Sequence, residues 1–247
     1  MKGVLVATVF LTRVPMPVSV NAGDIQQATR WFPLIGAAIG AAGALTAWTL
    51  AVLALPGTLT AIVLVALGAW VTGAIHLDGL ADTADGFGGG TDRETTLRIM
   101  RDPVIGSFGA IALILVVALK VAALAALLDR NAARPSLVAA PALARWTVAL
   151  LGAWMPYARP AGGLGEAATR QTRGSVLVAT ALAMLVTIAA LGIDGFVAAT
   201  VAPLTVAWIG RMARRRIGGV TGDVFGAAVE LTETAVLLSG VIVAGHA

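Results

Sequence analysis

Cysteine is absent from the 247 residues, which removes disulfides, thiolate nucleophiles and thiolate metal sites together. Charge is scarce as well: only 12% of the chain is charged, against about 25% in a soluble domain. Histidine occurs twice. With His246 penultimate and expected to be disordered, no Ser-His-Asp arrangement is available. The formal net charge is +4 and implies no patch for nucleic acid. What the chain has instead is apolar length. It is 58% hydrophobic with a mean hydropathy of +0.91, which makes it an integral membrane protein.

Seven apolar stretches are expected to cross a bilayer, at 34–55, 59–75, 105–128, 137–154, 176–193, 196–209 and 224–245. The sixth is short for a hydrocarbon core about 30 Å thick. Ahead of them, the run from Val4 to Leu11 resembles a signal-peptide core and Val20-Asn21-Ala22 a cleavage site. Arg13, Pro15 and Pro17 favour instead a short interfacial or re-entrant helix ended by the prolines. The expected fold is therefore all-α, a polytopic membrane bundle of about seven spans plus that short helix. Residues 1–247 are read as one domain, without internal repeat or linker. Gly36, Gly40 and Gly43 predict close helix packing on the first span. Thr91 and Glu94 have capping-box spacing, so a short surface helix is expected over 92–100, ended by Pro103. Lys and Arg fall before the first span and after the second, fourth and sixth. Arg130 and Arg134 alone take the other side, and Lys120 and Arg145 lie within spans. That bias places the amino terminus and every large polar loop in the cytoplasm.

The first polar connection opens with His76-Leu77-Asp78-Gly79-Leu80-Ala81-Asp82-Thr83-Ala84-Asp85-Gly86. Asp78, Asp82 and Asp85 are spaced i, i+4, i+7, so on a helix they share a face. Like charges stacked in this way repel and ask for a cation, and carboxylate oxygens suit a hard divalent ion such as Mg²⁺. A solvated acidic face is the bland alternative. Against it, the whole chain holds 13 acids, and ionised groups at the end of a membrane helix are costly without a role. Asp223 and Glu230 are again seven apart, with Glu233 following. Lys120 and Arg145 either snorkel to a helix end or face a polar cavity shared with the carboxylates. Arg13, beside the membrane surface, suits an anionic ligand or a lipid headgroup. His76 is a general base, a support for a metal ligand, or merely a polar residue at a helix end. A second polar loop carries Ala161-Gly162-Gly163-Leu164-Gly165, and Arg211 to Arg216 holds four arginines. Carboxylate-held metal with cations nearby fits phosphoryl or nucleotidyl transfer.

The run from His76 to Gly86 resembles the signature of the cobalamin synthase (adenosylcobinamide-GDP ribazoletransferase) family. Further blocks resemble that family in order and cover nearly the whole chain. They are Thr12-Arg13-Val14-Pro15, Phe32-Pro33-Leu34-Ile35-Gly36, Met100-Arg101-Asp102, Ile105-Gly106-Ser107-Phe108-Gly109, Pro141 with Arg145-Trp146, and Gly222-Asp223 with Gly226-Ala227 and Glu230. Arg101 departs from the lysine more usual there, which changes the geometry of a phosphate contact. The resemblance implies a membrane transferase that joins adenosylcobinamide-GDP to α-ribazole or its 5′-phosphate with Mg²⁺, giving adenosylcobalamin or its phosphate and releasing GMP. On that reading Asp78, Asp82, Asp85, Asp223 and Glu230 would hold the metal. Asp82 or Asp85, with His76 as a further candidate, would accept the hydroxyl proton. Arg13, Lys120 and Arg145 would hold the diphosphate, and Asp102 with Ser107 would line the site. The implied location is the bacterial cytoplasmic (inner) membrane, with the lipid bilayer as partner; a homo-oligomer stays open. Two other readings remain. The Asp78-Gly79-Leu80-Ala81 start resembles the CDP-alcohol phosphotransferases, whose motif continues with arginine rather than a second acid and spaces its later acids more widely. An ion-coupled transporter also buries acids and a lysine among glycine-rich helices, but its acids belong at the midplane rather than at one face.

Overall fold

Apolar segments in lipid must satisfy their backbone hydrogen bonds internally, and here they do so as helices. A computed structural model describes residues 2–159 and 164–245. The loop glycines at 162 and 163 and His246 lie outside the described residues. Among the described residues twelve α-helices follow one another: α1 Lys2–Leu11, α2 Ala22–Ala28, α3 Phe32–Val52, α4 Gly57–Thr72, α5 Ile75–Gly89, α6 Arg93–Ile99, α7 Ser107–Asp129, α8 Ala133–Trp154, α9 Leu164–Ala167, α10 Arg173–Leu191, α11 Gly195–Ile217 and α12 Gly222–Ala244. No strand forms among the described residues beyond one isolated bridge, Tyr157 with Val220. Five helical segments there are long and apolar enough to cross a membrane, or six if the bent pair α4–α5 counts as one. One of the five is the 45-residue stretch Arg173–Ile217, which folds back on itself at Gly192–Asp194. Both of its flanks return to the end of α8: Ala168 packs on Gly152, and Ala158 N–H donates to Val220 O at 2.8 Å.

The centre of the bundle is α8, in which every residue from Ala139 to Ala149 is buried. Pro141 sits inside it. A proline has no N–H, so the Leu137 carbonyl one turn earlier loses its intrahelical donor. That carbonyl lies against Gly40 of α3, and the Pro141 carbonyl lies against Gly36; a Cβ at either glycine would run into it. The expected close packing therefore has a specific partner. Gly43 does something else and borders a cavity described below.

Large apolar side chains point outward in number, among them Leu45, Trp48, Trp70, Ile114, Leu185, Ile188, Phe196 and Trp208. In water this would be a liability; against lipid it is the expected surface. The two ends differ in charge. One end, called here the polar end, gathers α1, α2, α5, α6 and the loops after α8 and α11. It is tied by Arg93 to the carbonyls of Ile217 (2.9 Å) and Ala158 (2.6 Å), by Arg216 to Gly90 O (3.3 Å), and by Thr29 to Gln171 (2.6 Å). The opposite end carries Arg130 and Arg134.

Four local features differ from expectation. The second apolar run stops at Thr72, because Gly73 (φ 65°) and Ala74 (φ 57°) both adopt the left-handed conformation and turn the chain through 91° into α5. A Cβ at position 73 would meet Arg13 Nε at 2.9 Å. The carboxylate run is thus a helix of its own, not the tail of a span. The sixth run extends to Ile217, since arginine is a good helix former and Arg211 to Arg216 continue α11. The surface helix α6 is capped by Asp92 rather than Thr91: its carboxylate accepts from Thr95 N (2.9 Å) and Thr95 Oγ1 (2.9 Å), which holds its pKa below the ordinary value. Before α3 an additional helix, α2, is closed by a capping box between Asn21 and Asp24.

Candidate active site

Two glycines decide where the acidic helix sits. Gly79 of α5 and Gly226 of α12 meet face to face, with an added Cβ at Gly79 only 2.8 Å from Asp223 O and 3.2 Å from Gly226 Cα. This crossing brings Asp223, in the first turn of α12, up to the acidic face of α5. Asp82 is half-buried and within electrostatic range of Asp223, Asp78, Arg159 and Asp85; Asp78 is exposed. Asp223 Oδ2 accepts from Arg159 Nη2 at 2.7 Å and from Thr221 Oγ1 at 3.2 Å, while Thr221 caps α12 through Val224 N–H. Arg159 also donates to Met100 O at 3.2 Å. Arg159 is thus paired with Asp223 and also acts electrostatically on Asp82.

Asp85 is engaged differently. Its two oxygens accept the backbone N–H groups of Gly106 and Gly109, each at 2.8 Å, at the amino end of α7. The amino end of a helix leaves N–H groups without partners, so a buried carboxylate there satisfies them and complements the dipole. Both glycines are needed for this, because a Cβ on either would strike the carboxylate. Asp85, expected among the metal-holding and proton-accepting residues, is therefore committed to positioning α7. Ser107 follows Gly106 directly and is exposed, as is Asp102, whose Oδ1 accepts from Val104 N–H at 3.0 Å. Arg13 is exposed over the α4–α5 turn, its N–H donating to Val71 O at 2.8 Å.

Glu230, Lys120, Arg145 and His76 are not with the aspartates. Lys120 Nζ contacts Glu230 Oε2 at 2.6 Å and Glu233 Oε1 at 3.0 Å, and Arg145 Nη1 donates to Glu233 Oε2. This quartet joins α7, α8 and α12 midway along each. Glu230 was expected to complete the acidic group and the two cations to face it; they face one another instead, because a buried charge requires an opposite partner close by. His76 lies two residues from Asp78, hence on the opposite side of α5. It is buried beside this quartet with Nδ1 unpartnered. Arg159 had not been singled out, and Glu233 had been noted only as following Glu230. Glu233 was recoverable from its i, i+3 relation to Glu230; Arg159 sits in an irregular loop with no periodic signal. Among the described residues no group of three or more His, Asp or Glu is arranged to hold a metal ion.

Above the quartet is a cavity of about 280 Å³ between α3, α4, α7, α8 and α12. Its walls are aliphatic and glycine-rich, and Leu77 lines it from α5.

Apolar helices long enough to cross a bilayer, with carboxylates and arginines gathered at one end, define the class: a multi-pass membrane protein. The family model of cobalamin-5-phosphate synthase matches residues 3–242, and the chain belongs to that family of transferases. It is 43% identical to an adenosylcobinamide-GDP ribazoletransferase of a Sinorhizobium species, covering 92% of this chain and 91% of the relative. It is also 43% identical to the enzyme of that name from Pseudomonas paraeruginosa, over 97% of both chains, and 40% identical to that of Thiobacillus denitrificans, over 96% and 94%. No solved structure matches it.

Proposed function

We propose that this chain joins adenosylcobinamide-GDP to ribazole, or to its 5′-phosphate, and releases GMP. The relatives' name states that transfer for them. The family match over residues 3–242 sets this reading ahead of a CDP-alcohol phosphotransferase or an ion-coupled transporter. The observation that carries the assignment of a site is the grouping of Asp78, Asp82 and Asp223 from two helices, at the end where the basic loops also gather.

In the proposed step a ribose hydroxyl attacks the phosphorus that bears the aminopropanol arm. The bond from that phosphorus to the oxygen of GMP breaks, and GMP departs with the electron pair. Asp82, half-buried and facing Asp78 and Asp223, accepts the hydroxyl proton. Arg159, already drawn to Asp223, and Arg13 over the α4–α5 turn supply positive charge to the diphosphate. Lys120 and Arg145 have no part in that contact, since their charge is spent on Glu230 and Glu233.

The carboxylates of Asp78, Asp82 and Asp223 suit Mg²⁺ in kind, but no three of them are arranged around one ion; one or two would hold it, with waters and substrate phosphates completing its shell. Bound there, it would neutralise charge on the diphosphate. The polar end faces the cytoplasm of the inner membrane, by the excess of Lys and Arg it carries. The test is GMP release by purified protein given both substrates, with and without Mg²⁺. Asp82→Asn is expected to lower kcat by roughly 100-fold or more. A folded Asp82→Asn protein with full Mg²⁺-dependent activity would remove the assignment.

A further inference from the structure

The cavity over the quartet has a chemistry of its own. Its floor holds two cations and two carboxylates, and these are paired with one another. A floor without excess charge does not select a phosphate or any other ion. One donor is left over: Arg145 Nε–H is buried and has no partner, while Arg145 itself lines the cavity at 3% exposure. A buried donor without a partner costs about 1–3 kcal/mol, so a ligand bearing an acceptor is favoured there over a hydrocarbon. The walls are aliphatic. Gly68 of α4 borders the space, and a Cβ at that position meets nothing within 4 Å. The ligand that fits is small, neutral and mostly apolar, with one acceptor atom at its inner end.

We propose that this cavity binds the base of the acceptor nucleoside, an inference that rests on the transfer proposed above. The base of ribazole is a dimethylated benzimidazole: flat, apolar, uncharged near neutral pH, and carrying one ring nitrogen free to accept from Arg145 Nε–H. The volume of about 280 Å³ lies at the lower end of small-molecule pockets, roughly 300 Å³ upward. It admits a bicyclic base and excludes a corrinoid. Leu77 lines the cavity from α5 and Asp78 is its chain neighbour, so the cavity and the acidic face share that helix.

Gly68→Leu tests this, since it fills the cavity from a position with free space and improves helix propensity in α4. The purified full chain in nanodiscs is titrated with α-ribazole and with 5,6-dimethylbenzimidazole alone, and GMP release is measured in parallel. Gly68→Leu is expected to weaken both ligands by about tenfold or more. It should raise KM for ribazole while leaving KM for adenosylcobinamide-GDP within about twofold. Gly68→Ala, smaller by three carbons, is expected to fall between and serves if the leucine variant does not fold. Unchanged ribazole affinity in a folded variant that still releases GMP overturns the pocket and leaves the transfer standing. Absence of GMP release by the wild-type protein with both substrates overturns the transfer itself, and the pocket assignment with it.

Discussion

Glu233 holds two cations from two helices at once, and its geometry separates residues that the sequence had grouped together. Removing one partner from such a network leaves a charge buried without compensation. Lys120→Met, which strands Glu230 while Glu233 keeps Arg145, is expected to cost about 3–5 kcal/mol and to lower the thermal midpoint in detergent markedly. A Lys120→Met protein that melts with the wild type would show that the quartet is hydrated rather than buried. At this scale the sequence was informative about which residues matter and less so about what they touch. The i, i+4, i+7 spacing located the acidic face correctly, since helix geometry fixes it. Asp85 escaped that logic, because the N–H groups it accepts come from residues more than twenty positions further on. The same holds for Arg159: no local spacing encodes a pairing made across a loop.

The elements were legible where their apolar runs were long. Their boundaries failed where backbone conformation, not hydropathy, decides. The apolar run continues to Ile75, yet the helix ends at Thr72 because two left-handed residues intervene. Ala74 is the costly one, as a residue with a Cβ loses about 1–2 kcal/mol in that conformation. Ala74→Gly removes this strain but loosens the unfolded chain. The net expectation is a gain of up to about 1 kcal/mol, read as a higher thermal midpoint with GMP release retained. A lower midpoint would mean that the alanine methyl contributes packing at the corner that outweighs its strain.

On the scale of the whole molecule, the charge bias of the loops and the folded arrangement agree: the basic loops that alternate along the sequence come together at the polar end. The absence of cysteine makes their sidedness directly measurable, because single cysteines can be introduced into an otherwise native chain. Thr91→Cys, at the polar end, is expected to react with a membrane-impermeant maleimide only in inside-out vesicles. Asp194→Cys, in the turn at the other end, should react in right-side-out ones. The reverse pattern would invert the orientation proposed here.

The quartet has one more consequence. Its ammonium, its guanidinium and its two carboxylates cancel in charge at mid-depth, so an electrical field across the lipid finds no net charge to displace there; such work scales with the charge moved, about 2.3 kcal/mol for each elementary charge per 100 mV. Turnover in sealed vesicles should then be indifferent to imposed voltage, as suits a catalyst that uses the bilayer as a support and draws no power from it.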